Sequence, residues 1–184
     1  MTFISDTNKF IFIEAQKTAT KSFRCMFFRD YKIRNFLYQG KISGDNTRHR
    51  TSKHIRNKFP DRWKEYTTFI VVRNPWHRYA SFLRYKILKD RYRDAALDKM
   101  LNAHSQTEFI FDKDKVIVDK ILKFENLQQE WDEFSPTIGL YPRKLPYKNN
   151  LGIYDYRDFF NDNLIDIIYR KEKKIIDMMG YTYD

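Results

Sequence analysis

The sequence predicts an α/β fold. Three layers are expected, with a central, mostly parallel β-sheet flanked by helices, in a single domain over residues 1–184. Three observations lead there. Thr67 to Val72 is a near-continuous apolar run of the kind that fills the middle of a parallel sheet. Phe10 to Ile13 is a second apolar run, and Phe23, Met26 and Phe27 follow it at helical spacing. Near the C-terminus, Leu164, Ile165, Ile168, Ile175, Ile176 and Met179 form an apolar stripe of helical period, with Asn161 as its N-cap and Gly180 where a C-terminal cap belongs.

Taken in order, Phe10 to Ile13 reads as a buried strand, and the polar segment Glu14 to Ser22 turns the chain into a helix that Thr18 or Thr20 can cap. Asn35 to Gln39 is a candidate second strand, and Lys41 to Arg50 reads as a polar loop. Thr51 to Lys58 is helical and stops before Pro60. After the Thr67–Val72 strand, Asn74 is an N-cap and Pro75 a first helical residue. Trp76, Tyr79, Ala80, Leu83 and Ile87 then share one helical face. Residues 93–103 are helical, Val116 to Phe124 is a third strand region, and Glu125 to Phe134 is a helix. The run Arg170 to Lys174 reads as a solvated helix face.

Composition removes several classes. The one cysteine, Cys25, cannot form an internal disulfide, and with four scattered His it offers no zinc spacing. No stretch approaches the roughly 20 apolar residues of a membrane helix. The first residues lack the basic and apolar regions of a signal peptide, so a cytoplasmic protein is expected. A formal net charge of +11 favours an anionic partner: nucleic acid, a membrane surface, or a phosphorylated or sulfated small molecule.

Two segments have the chemistry to hold such an anion. In the first, a strand feeds a turn and then a helix, so backbone N–H groups converge where the helix end carries about half a positive charge. Lys17 adds a full charge, and Thr18, Thr20 and Ser22 add hydroxyl donors. The segment is P-loop-like, but the Walker pattern requires a glycine directly before the lysine, and Gln16 stands there. The second segment is Arg73 to Ser81. Arg73 follows the best strand, at the end where open α/β sheets bind ligands. Arg78 precedes Ser81 by one helical turn, so a guanidinium and a hydroxyl can converge on a second phosphate. Two anion sites after two parallel strands imply a ligand with two separated phosphate groups.

At these residues the chain resembles the sulfotransferases. Ile13 through Ser22 is similar to their 5′-phosphosulfate loop, usually Pro-Lys-Thr-Gly/Ala-Ser/Thr-Thr-Ser, with Gln16 in place of the proline and Lys21 in place of a hydroxyl residue. Phe69 through Ser81 is similar to their 3′-phosphate motif, Phe-x-x-Val-Arg-Asn-Pro-x-x-Arg-x-x-Ser. Ile121 to Leu127 and the stretches Leu145 to Asn150, Tyr154 to Phe160 and Met179 to Tyr181 resemble the carbohydrate branch that includes heparan and chondroitin sulfotransferases. The likeness spans residues 10 to 181.

The resemblance implies the donor 3′-phosphoadenosine 5′-phosphosulfate (PAPS), its product adenosine 3′,5′-bisphosphate (PAP), no metal, and a hydroxyl acceptor, expected to be a carbohydrate. Carried over by position, Lys17 contacts the 5′-phosphosulfate and stabilises the leaving oxygen. Thr18, Ala19, Thr20, Lys21 and Ser22 share its loop, and Arg73 and Ser81 bind the 3′-phosphate. The acceptor proton needs a base. His49 leads, because Arg48 to Ser52 resembles the family's His-x-Thr-Ala segment, and Glu14 is second. His54, His77 and His104 read as structural or exposed, and Tyr147, Tyr154 and Tyr156 read either as packing or as contacts to adenine or acceptor. Eukaryotic members of this branch are usually Golgi proteins with a membrane anchor, and with neither an anchor nor disulfides read in this sequence a bacterial, phage or viral source is expected. The alternatives are a P-loop-like nucleotide kinase and a basic nucleic-acid-binding protein.

Overall fold

The computed structural model describes residues 2–33, 37–38, 49–90, 93–146 and 155–183. They form two compact units, Met1–Val72 with Glu108–Lys148 and Arg73–Thr107 with Asn149–Asp184. Among the described residues, no helix is long and apolar enough to cross a membrane.

The first unit is built on a sheet. Strand β1 (Thr2–Ser5) turns into β2 (Phe10–Ile13), and helix α1 (Thr20–Arg29) follows. Next come β3 (Leu37–Tyr38), helices α2 (Ser52–Lys58) and α3 (Pro60–Glu65), and β4 (Thr67–Val72). Helix α6 (Gln106–Ile110) begins at the end of the second unit's first segment and continues into the first unit, where the hairpin β5 (Phe111–Asp112) and β6 (Lys115–Val116), then β7 (Lys120–Lys123) and α7 (Leu127–Phe134) follow. The sheet order is β3-β1-β2-β4-β7. The β2–β4 and β4–β7 pairs are parallel, while β1 is antiparallel to both β2 and β3. Four of the five strands therefore share one direction, as the apolar runs predict. Strand β4 lies between two parallel neighbours. Its register against β7 is pinned by Asp119, whose carboxylate accepts from the backbone N–H and hydroxyl of Thr68, each at 2.7 Å.

Strand alternation places Phe3, Phe10, Phe12, Phe69, Val71 and Leu122 in one buried cluster with Phe23, Met26 and Phe27 of α1 and Trp131 and Phe134 of α7. Phe69 is central. Its ring lies 4.9 Å from Phe12, 5.1 Å from Phe134, 5.7 Å from Phe10, 6.1 Å from Trp131 and 6.2 Å from Phe23. The intervening residues Ile4, Ile11, Ile13, Ile70 and Val72 are also fully buried, so the strands are apolar on both faces.

The second unit is helical. It contains α4 (Pro75–Asp90), α5 (Arg93–Leu101), a short 310 turn at Tyr156–Phe159, and α8 (Asp162–Met179). Asn74 caps α4 as expected, its side-chain oxygen accepting from the N–H of Trp76 at 3.1 Å. Trp76, Tyr79, Leu83, Ala96, Met100, Ile168 and Ile176 form the core. Asn161 caps α8 by accepting from Leu164 N–H at 3.0 Å, and Gly180 ends it in the left-handed region at φ 66°.

Four expectations are corrected. Neither Thr18 nor Thr20 caps α1; Ala19 occupies that position, because the Thr18 hydroxyl turns back to the Ala15 carbonyl at 3.1 Å. Val116 to Phe124 is not one strand; β6 and β7 lie in different sheets, since β6 pairs locally with β5. The solvated reading of Arg170 to Lys174 fails at Glu172, which is fully buried, and at Lys171, whose ammonium donates to the Leu101 and Ala103 carbonyls. Arg78 does not face a ligand, because its buried guanidinium pairs with Glu172. The candidate strand at Asn35–Gln39 survives as Leu37–Tyr38, and its remainder lies outside the described residues. Strand β1, helices α3 and α6 and the β5–β6 hairpin are additions.

Replacing Phe69 with Ala is expected to destabilise the protein by about 3–5 kcal/mol in urea titrations. Val116→Ala, at an exposed position, should stay within about 0.5 kcal/mol of wild type.

Candidate active site

The loop between β2 and α1 has an unusual backbone. Lys17 and Ala19 both adopt left-handed conformations, at φ 67° and 59°. Each costs a non-glycine residue on the order of 1 kcal/mol, and such strain collects at functional sites. Left-handed residues alternating with ordinary ones turn successive N–H groups to one side, which makes an anion-binding concavity. The helix that follows has no acidic residue in its first turn, so nothing there offsets its positive end. Ser22 is buried within this first turn, and Lys21 is exposed.

The same unit brings two further candidates to this loop. His49 Nδ1 lies 2.7 Å from the backbone carbonyl of Glu14, three residues before Lys17. A carbonyl can only accept, so Nδ1 carries the proton and Nε2 is the basic nitrogen of the neutral ring. The Glu14 side chain is fully buried and forms a two-point pair with Arg24 of α1, with Nε donating to Oε1 at 2.5 Å and Nη2 donating to Oε2. Burial pushes the Glu14 carboxyl above its ordinary value, and Arg24 opposes that rise. Glu14 thus ties the loop to its helix from inside, while His49 meets the loop's backbone.

In the second unit, Arg73 is the residue after β4 and Ser81 lies two turns into α4. The Arg73 backbone is bonded on both sides by one buried side chain. Gln106 Oε1 accepts from Arg73 N–H, and Gln106 Nε2 donates to the Arg73 carbonyl, both at 2.8 Å. Asn74 also donates to the Thr182 carbonyl at 2.9 Å, so the C-terminal segment holds the start of α4. The His77 and Tyr156 rings meet at a tilt of 42°, with centroids 3.9 Å apart. Tyr147 and Tyr154 lie outside the described residues.

Sequence reading missed Gln106 and Glu172. For Glu172 a signal exists, since it falls between Ile168 and Ile176 on the apolar stripe of α8. Gln106 has no comparable signal. Among the described residues, no group of three or more His, Cys, Asp and Glu is placed to hold a metal ion.

The model of the Sulfotransferase family matches residues 1–148. No curated protein and no solved structure gives a significant match to the chain.

A folded-state value for Glu14 above its ordinary 4.5 means that its contribution to stability is greatest below that pH and declines as pH rises through the folded value. Arg24→Met removes the opposing cation and steepens the decline. The variant should lose about 3–5 kcal/mol at pH 8, and less at pH 5, because lowering the pH shifts Glu14 toward its uncharged form, which needs no cation. Urea titrations at the two pH values measure the difference.

Proposed function

The chain belongs to the sulfotransferase family, and on that premise we propose that it transfers the sulfuryl group of PAPS to a hydroxyl of a glycan or glycoconjugate. The observation that carries this reading is the β2–α1 loop, where a lysine and left-handed backbone meet the positive end of a helix, with His49 bonded to the same segment. The donor has two separated phosphate groups. The Lys17–Ser22 loop takes the 5′-phosphosulfate, and Arg73 and Ser81 take the 3′-phosphate.

The chemistry follows from these roles. The acceptor oxygen attacks sulfur in line with the bond to the 5′-phosphate oxygen. The acceptor proton passes to Nε2 of His49, which the Nδ1 bond to Glu14 keeps in the basic tautomer. The sulfur–oxygen bond breaks, and its electron pair stays on the phosphate of PAP. The Lys17 ammonium and the loop N–H groups stabilise that charge where it develops. Glu14 is a poor base by comparison, because its carboxylate is buried against Arg24. The +11 charge suits an anionic acceptor and an anionic donor alike.

Calorimetry should find PAP binding that exceeds ATP binding and weakens on the order of 10–100-fold in Arg73→Ala. Equal binding of ATP, or none of PAP, would overturn the reading. With donor and a panel of glycans, Lys17→Ala and His49→Ala should each lower kcat by about 100-fold or more, read as release of PAP.

A further inference from the structure

The parallel ladder of β4 ends with Val72 opposite Lys123. The next peptide groups belong to Arg73, and a buried backbone N–H or carbonyl that leaves a ladder needs a new partner. Gln106 supplies both. Its primary amide accepts from Arg73 N–H and donates to the Arg73 carbonyl, as a neighbouring strand would.

Gln106 is itself held from behind. It is fully buried, and its backbone N–H donates to both oxygens of the Glu172 carboxylate, at 3.0 and 2.9 Å. Thr107 N–H reaches the same carboxylate at 3.4 Å. Arg78 donates to Glu172 at 2.9 Å and the Tyr79 hydroxyl does so at 3.2 Å. The second Arg78 nitrogen donates to the His104 carbonyl at 2.7 Å, which closes the network around residues 104–107.

We propose that Gln106, anchored by the buried Glu172 carboxylate, is a positioning residue for Arg73, fixing the backbone from which its guanidinium reaches the nucleotide 3′-phosphate. The inference rests on the assignment of Arg73 to that phosphate. Bonds to both the N–H and the carbonyl of one residue restrain rotation on either side of its Cα. A small rotation there is magnified at the end of a long side chain, and a displacement of about 1 Å at a working group can cost on the order of 100-fold. The amide falls on the one residue between β4 and the cap of α4, so what it restrains is the backbone that carries the Arg73 side chain.

The test measures binding of PAP and of adenosine 5′-monophosphate, which lacks the 3′-phosphate, by calorimetry on the full chain. Wild type, Arg73→Ala, Gln106→Met and the double variant are compared. The ratio of the two dissociation constants isolates the 3′-phosphate. Wild type should prefer the bisphosphate, and Arg73→Ala should abolish that preference. Gln106→Met should cut the preference by about tenfold while monophosphate affinity stays within about twofold, and the double variant should be no worse than Arg73→Ala. A wild-type ratio in Gln106→Met, or losses that add in the double variant, sinks the positioning role and leaves Arg73 in place. A wild-type ratio in Arg73→Ala sinks the assignment of Arg73 itself. Gln106→Ala is the second variant if Met does not fold, and failure of both to fold would identify Gln106 as a core residue and overturn the proposal.

Discussion

A parallel strand that ends inside a protein leaves its next N–H and carbonyl without ladder partners, and burial makes that costly. This constraint organises the segments to which function is assigned. After β2 the chain turns through left-handed Lys17 and Ala19, and the Thr18 hydroxyl bonds back to Ala15. After β4 the backbone of Arg73 is taken by the Gln106 amide, and Asn74 then starts α4. One exit is solved by backbone conformation and the other by a side chain from a distant helix. Each places a cationic residue at the exit, Lys17 in one case and Arg73 in the other.

Both units also bury a carboxylate. Glu14 and Glu172 are each fully buried, and burial raises both above the ordinary range. Their surroundings differ. Glu14 meets Arg24 of α1, which is partly exposed at 20%. Glu172 meets a buried arginine, a tyrosine hydroxyl and two backbone N–H groups. A buried ion pair gives little net stability compared with apolar packing, because desolvation offsets most of the attraction. Its effect is conformational: Glu14 joins the strand exit to α1, and Glu172 joins α8 to α4 and to the start of α6.

Elements governed by local physics are legible in the sequence. The apolar run Thr67–Val72 could only be a buried strand, Asn74-Pro75 starts a helix by capping and by fixed φ, and Asn161 and Gly180 bound the last helix at the expected residues. Less legible was anything set by a distant partner. Thr18 has the chemistry of a cap and instead bonds Ala15, since Ala19 takes the left-handed turn. Val116 looks continuous with β7, yet it pairs with Phe111 in a hairpin that only the chain's path creates.

The sequence by itself determined the α/β class, the parallel pairing of its most apolar strands and the caps that bound its long helices. Those follow from hydrophobic period and capping chemistry, which act over a few residues. Tertiary structure alone decided that Arg78 pairs with Glu172, that Gln106 grips Arg73, and that His49 Nδ1 meets the backbone carbonyl of Glu14. These contacts join residues 33 to 94 positions apart. Short-range patterns carry no record of them, because a buried polar side chain is defined by the partner that satisfies it, and that partner is brought near only when the chain folds.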